Sequence, residues 1–432
     1  MKNECISLWD KSTTEEEYGE PLDGDQKAEI AIVGGGFTGL STALHASLLG
    51  QDCIVLERNK IGFGGSGRNV GLVNAGLWLP PRQVDNLLGK EVAGKLISAL
   101  GNAPEYVFSL IDRYKIQCEP HRTGTIHAAH SPKGFRDLEK RAEDWARLGA
   151  PVDLLSKEEA AEKIGSDNFY GGLLDHRAGT INPMGYVRGL AKAAKDAGAR
   201  IKTDAYVKKI QQKNGIWELI TPKGTVRAKK VVIGTNGYTD ELWPQLKNTI
   251  TIIHYFQLAT KPLGKDASYI LKEGQGLWDT GPIMFSIRRD DFGRIIVGSM
   301  GSVIGGLNGL SHRWAQKRLA NLFPKIGSVE FEESWHGNIA MTPDHLPRIH
   351  KLAENLYTPI GYNGRGITPG TIFGKALAEL LSGANSDDCL PMPLSEPKTI
   401  WNRSLMTGFY RMVFAVNQMV KSINDKCKGR FT

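Results

Sequence analysis

A chain of 432 residues that is 41% hydrophobic and 23% charged has the composition of a globular protein, long enough for two or three ordinary domains. Its formal charge of +8 admits an anionic partner, but no basic stripe accompanies a nucleic-acid-binding module, which excludes nucleic acid. Five cysteines without a C-x-x-C pair exclude a zinc finger and a secreted disulfide framework.

The chain begins without a basic segment leading into an apolar core, and Glu15, Glu16 and Glu17 are acidic, so no cleaved secretory signal is expected. No apolar run reaches bilayer length. A reducing cytoplasm is the compartment these features point to. Residues 1–26 and the stretch after Asp387 read as unstructured.

Residues 28–33 form a short apolar strand, and Gly34-Gly35-Gly36-Phe37-Thr38-Gly39 follows at once. Leu40, Ala43, Leu44 and Leu48 then keep helical spacing, and a second strand at 53–56 ends on Glu57. This is the G-x-G-x-x-G dinucleotide fingerprint in its context of strand, tight turn and helix. Gly34 makes the turn, Gly36 lets backbone approach a pyrophosphate, and Gly39 lets helix and strand pack closely. The helix N-terminus favours the phosphates, and Glu57 stands where an acid accepts from a ribose hydroxyl. The fingerprint alone does not separate NAD from FAD.

Three later segments favour FAD. The run 62–71, with Gly65, Ser66, Arg68, Asn69 and Gly71, suits backbone lying against a large planar ring. Residues 231–237 read as a buried strand ending in Thr235-Asn236-Gly237. Residues 361–368 carry Gly364, Arg365, Gly366, Ile367 and Thr368 and open a helix expected over about 369–381. A helix N-terminus beside Arg365 would hold the negative charge of a reduced flavin or a substrate; the plain alternative for Arg365 is a surface loop.

The order and spacing of these segments resemble the D-amino-acid-oxidase-type flavoproteins, the family that includes sarcosine and glycine oxidases. The resemblance spans about residues 29–383. It implies a Rossmann-like FAD-binding domain (28–105, 179–245 and 340–385) interleaved with an α+β substrate domain (106–178 and 246–339) built on an antiparallel sheet. It also implies FAD as cofactor, with Phe37, Thr38, Arg58, Leu72 and Val207 completing the cofactor contacts. The runs at 64–76, 177–186, 286–291 and 342–346 are similar to those of L-pipecolate-oxidising members, whereas GSGRN is shared with γ-glutamylputrescine-oxidising ones. Some members tether FAD through a cysteine before the Thr-Pro-Asp turn or a histidine in the first flavin loop. Residues 337–341 contain no cysteine and 62–76 no histidine, so the expected attachment is non-covalent.

Flavin amine oxidation asks little of side chains beyond orientation, a cation for a carboxylate and aromatic walls. Arg288, Tyr255, Trp335, Tyr362 and Arg365 are the candidates for substrate contact. Arg288 alternatively pairs with Asp290 or Asp291 at the surface, and Tyr255 and Trp335 alternatively serve the core. His254, His336 and His345 lack metal-ligand spacing, so no metal is assigned. Oxygen or a respiratory carrier would reoxidise the flavin.

Residues 386–432 form a basic amphipathic tail. Leu405, Phe409, Met412, Val416, Met419 and Ile423 share one face of a helix, widened by Met406, Tyr410, Val413 and Val420. Two readings stand: docking on the chain's own domain or a second subunit, or lying on an anionic membrane surface.

Overall fold

The computed structural model describes residues 7–306 and 309–422. Two sheets dominate it. In the first, the strands run in the order Glu20–Pro21, Arg200–Thr203, Cys53–Leu56, Gln26–Val33, Gly224–Ile233, Leu356–Ile360, Arg348–Ala353 and Leu394–Ser395. The first six pair in parallel. A hairpin of Lys209–Lys213 and Ile216–Thr221 extends from the edge of Gly224–Ile233.

Parallel strands buried on both faces read as continuous apolar runs, and Cys53–Leu56 and Leu356–Ile360 are buried throughout. Alternate residues serve different cores. Ile30, Ile32, Cys53 and Val55 pack against the helices Phe37–Leu48, Pro183–Asp196 and Ile367–Ser382. Ala31, Val33, Ile54 and Leu56 pack with Trp217, Leu219 and Leu246 on the other face. The helix Pro183–Asp196 starts where Asn182 caps it, its side chain accepting from the Met184 and Gly185 N–H groups. The helix Ile367–Ser382 begins two residues before its expected start, because Pro369 lies in a first turn that needs no N–H.

The second sheet has eight strands in the order Phe331–Met341, Thr251–Thr260, Ile295–Met300, Phe285–Arg289, Gly276–Asp279, Thr125–Ala128, Gly172–Asp175 and Val152–Leu155. Its pairs are antiparallel with one exception, which corrects the expectation. Gly276–Asp279 runs parallel to Thr125–Ala128. This is the seam between two distant stretches of chain, where no hairpin dictates direction. The strand expected from 283 starts at Phe285, whose N–H donates to the Asp279 carboxylate at 2.9 Å across the Gly281-Pro282 turn.

Both ends of the chain are more ordered than their composition suggests. The helix Leu8–Ser12 buries Leu8 and Trp9. The Ser7 hydroxyl donates to the Gly67 carbonyl at 2.7 Å and the Trp9 indole to the Asn69 carbonyl at 2.8 Å, which pins the arm to the 62–71 loop. At the other end, Leu394–Ser395 joins the first sheet and Arg403–Ser422 forms a 20-residue helix. That helix docks on Leu310–Leu322 and Thr251–Thr260. Its docked face is Phe414 and Gln418, which are buried. Leu405, Phe409, Met412, Val416, Met419 and Val420 are all more than half exposed, so the apolar stripe points outward. Ile423 lies outside the described residues.

Candidate active site

The fingerprint turn opens on a cavity of about 450 Å³. Gly34, Gly36, Phe37, Thr38, Glu57, Arg58, Gly65, Ser66, Asn69, Val207, Thr235, Asn236, Gly237, Gly364 and Gly366 all line it. The glycines are required sterically. A Cβ on Gly39 would lie 2.0 Å from the Gly34 carbonyl oxygen, and one on Gly36 would lie 2.8 Å from the Ser66 hydroxyl. The helix Phe37–Leu48 has no N-cap side-chain bond and no acid in its first turn, so its positive end faces the cavity with only the Phe37 N–H taken, by the Ser66 hydroxyl at 3.0 Å. The Glu57 carboxylate accepts from the N–H groups of Gly35 at 2.7 Å and Asn59 at 2.9 Å, which fixes its position at the cavity wall. Arg58 stacks over Tyr206 at 4.2 Å. An open helix N-terminus, a held carboxylate and a cradle that a single Cβ would fill fit a dinucleotide.

A second cavity of about 500 Å³ adjoins the first. Gly65, Asn69, Asn338, Ile339, Gly364 and Gly366 line both, so the two are continuous at the 62–71 and 361–368 loops. Arg68, Leu72, Tyr255, Arg365 and Ile367 line the second cavity, together with Trp78, His127, Arg141, Trp278, Met284, Met300 and Met341.

Three guanidinium groups, Arg68, Arg141 and Arg365, and two carboxylates, Asp137 and Asp279, line this cavity. Arg365 is buried between aromatic rings, 4.9 Å from the Trp78 centroid and 5.0 Å from that of Trp278. Its Nη1 donates to the Ala75 carbonyl at 2.9 Å, while its Nε finds no partner among the described residues. Burial, and then the Arg141 charge, bring the Arg365 guanidinium down to about 9. Arg141 donates to the Trp78 carbonyl, and burial lowers it to about 10. Among the described residues neither arginine makes an ion pair. His127 stacks on Trp278 with centroids 3.4 Å apart, and burial holds it well below the ordinary histidine range, hence neutral. The Tyr255 hydroxyl meets the Ser286 hydroxyl at 2.8 Å and donates to the Gly298 carbonyl at 3.1 Å, and burial raises its phenol.

Three expected substrate contacts do not line the second cavity. Arg288 lies behind the flavin loop, outside both cavities: it donates to the Ile181 and Val70 carbonyls and packs 5.0 Å from the Trp9 ring. Gly71 is open backbone for the same reason, since a Cβ there would sit 2.5 Å from Arg288 Nη1. Trp335 is core, with its indole donating to the Arg68 carbonyl at 2.9 Å and its ring edge-on to Trp9. Tyr362 lines the first cavity instead, where its hydroxyl meets Thr38 Oγ1 at 2.9 Å.

Gly39, Gly71 and Thr368 line neither cavity and act behind them. Thr368 Oγ1 donates to the Asn74 carbonyl at 3.0 Å. Sequence reasoning missed Trp78, His127, Arg141 and Trp278. Trp78 follows the flavin loop closely enough to have been suspected. Nothing local distinguishes Arg141 from other helical arginines.

Fold and site together define a dinucleotide-dependent oxidoreductase with a second cavity beside the first. The chain belongs to the FAD-dependent oxidoreductase family, whose model matches residues 29–380. FAD is therefore its cofactor. It is 32% identical over 364 residues to γ-glutamylputrescine oxidoreductase of Escherichia coli (strain K12), a match covering 82% of this chain and 84% of that one. A probable oxidoreductase, OrdL, of Rhizobium meliloti (strain 1021) is 28% identical over 382 residues, covering 88% and 89%. Among solved structures, glycine oxidase from Geobacillus kaustophilus superposes with a TM-score of 0.70 at 20% identity, covering 86% of this chain and 99% of that one. That last likeness establishes the fold.

Proposed function

We propose that the protein oxidises a carboxylate-bearing secondary amine, L-pipecolate foremost, to the corresponding cyclic imine. The observation that carries this reading is that Arg365, which is buried, and Arg141 line one chamber and neither makes an ion pair among the described residues. A buried cation without a counter-ion is strongly disfavoured, and a bound carboxylate offsets that cost while orienting the amine. Arg365, which lines the chamber with its Nη1 held by the Ala75 carbonyl, is the primary contact.

Trp78, Trp278 and the methionines Met284, Met300 and Met341 give walls suited to a saturated ring. FAD, expected to be held without a covalent tether by the loops that line the first cavity, would supply the hydride acceptor. The substrate loses a hydride from the carbon next to nitrogen and a proton from nitrogen, and a C=N bond forms. The apolar walls exclude water, which favours the neutral amine. Oxygen or a respiratory carrier takes the electron pair afterwards.

The E. coli relative favours a second reading, γ-glutamylputrescine, in which the carboxylate is remote from the oxidised amine. Sarcosine and proline belong to the same chemical class. Anaerobic mixing of the holoenzyme with each of the four amines, followed at the visible flavin band, separates the readings. Bleaching by L-pipecolate supports the first; bleaching by γ-glutamylputrescine alone supports the second. Bleaching by none means a flavoprotein without amine turnover of its own. Acid precipitation should leave the yellow colour in the supernatant, and colour kept in the pellet would show a covalent tether.

A further inference from the structure

The helix Arg403–Ser422 is held to the protein on one side only. Gln418 bridges it inward, donating to the Ser302 carbonyl at 3.1 Å and accepting from the Ser311 hydroxyl at 2.8 Å, while Arg403 Nε donates to the Ile250 carbonyl at 2.8 Å. The opposite side carries Leu405, Phe409, Met412, Val416, Met419 and Val420, and Trp401 just before the helix is 93% exposed. A helix of this length extends about 30 Å, so the stripe is a continuous apolar surface of a kind that soluble monomers rarely leave uncovered.

The helix that carries the stripe and the helix beside it contain basic residues and no acid. The helix contains Arg403, Arg411 and Lys421 and no acid. The neighbouring helix Leu310–Leu322 contains Arg313, Lys317 and Arg318 and no acid. From Pro397 to the end, the sequence has seven basic residues against one acidic residue, Asp425. Among the described residues no helix is long and apolar enough to cross a membrane. An apolar stripe lying along the surface with basic groups beside it has the layout of a helix that lies in a bilayer interface.

We propose that this face binds the surface of an anionic lipid bilayer, with the stripe immersed at the headgroup–acyl boundary and the basic side chains on the anionic headgroups. A second copy of the chain is the competing occupant, but an isologous pairing through this face would set like charges against each other. The exposed stripe residues line neither cavity.

The test is cosedimentation of the full-length holoenzyme with phosphatidylglycerol-containing vesicles and with pure phosphatidylcholine vesicles, at low and high salt. The comparison is a Phe409→Ser/Val416→Ser double variant, whose two sites are more than half exposed. The expected result is pelleting with anionic vesicles at low salt, weakened by salt and on neutral lipid. The double variant should bind about tenfold less, as removing two apolar contacts from the interface implies. Flavin content and amine reduction should not change. Absence of pelleting, or equal pelleting of the double variant, overturns the proposal. A lipid-free dimer in sedimentation velocity that the same substitutions dissociate would assign the face to a second copy and overturn it as well.

Discussion

The guanidinium carbon of Arg365 lies 4.9 Å from the centroid of the Trp78 indole, and the Trp78 indole in turn donates to the carbonyl of Asn363, two residues before Arg365. The ring therefore both covers the cation and ties down the loop that carries it. Covering a guanidinium with aromatic faces removes water from the cation while its planar edge keeps its donors. Replacing Arg365 by Met should raise KM for a carboxylate-bearing amine. Loss of one partner from a buried charge pair costs about 2–5 kcal/mol, which is a factor of about thirty or more. Arg365→Lys should recover only part of that loss, because an ammonium lacks the fork. Steady-state kinetics on flavin-replete protein checks both, and an unchanged KM in Arg365→Met would move the carboxylate elsewhere.

Arg288 predicts a different phenotype. Its removal leaves the Ile181 and Val70 carbonyls without their donor, behind the loop that holds the cofactor. An unsatisfied buried polar group costs about 1–3 kcal/mol. Arg288→Met should therefore release flavin at a lower temperature while KM of the remaining holoenzyme stays put. A selective rise in KM would restore Arg288 to the substrate chamber.

Gly39 is a purely steric requirement. Ala at this position would drive its Cβ against the Gly34 carbonyl oxygen, which is backbone and cannot rotate away. Overpacking of this kind costs about 1–3 kcal/mol and here displaces the helix that carries the cofactor site. Gly39→Ala should purify colourless, whereas Ser66→Ala, which removes only the acceptor for the Phe37 N–H, should stay yellow with weaker flavin retention. Absorbance spectra of the two purified variants decide this.

Acid should destabilise the protein through two buried histidines. Burial lowers His45 and His350 to about 4 from an ordinary 6.5. Between those values the unfolded chain binds protons that the folded one refuses, so stability rises with pH across the window and is lost as pH falls from 6.5 towards 4. Each group contributes up to about 3 kcal/mol across it. His45, whose ring meets Tyr106 and Ser41, lies on the helix that opens on the cofactor cavity. Thermal unfolding of the wild type should weaken steeply over this range, and His45→Gln should flatten the dependence. Parallel pH profiles would contradict the assignment.

The cofactor half was legible because its constraints are local. Strand, glycine turn, helix and acid sit within thirty residues, and Gly39 answers a contact with Gly34, five residues before it. The substrate chamber was not, because it is assembled from many segments far apart in the chain. Arg141 comes from the helix Pro132–Arg147 and Trp278 from a strand at the parallel seam of the second sheet. Arg288 was misplaced for a related reason. A cation at a strand end in the right family position looks like a ligand, and only the packing of Trp9, from an arm that composition suggested was unstructured, shows what it holds. For the tail, periodicity identified the apolar face but could not reveal that Phe414 and Gln418 would anchor the other one.

The central claim is that the chamber recognises a carboxylate on the amine it oxidises, and anaerobic reduction of the bound flavin by L-pipecolate and by piperidine tests it most directly. The two compounds share the ring and the amine and differ in the carboxylate alone. The structure predicts rapid bleaching of the visible flavin band by L-pipecolate and little or none by piperidine at equal concentration. Equal bleaching by both, or bleaching by piperidine alone, would contradict it.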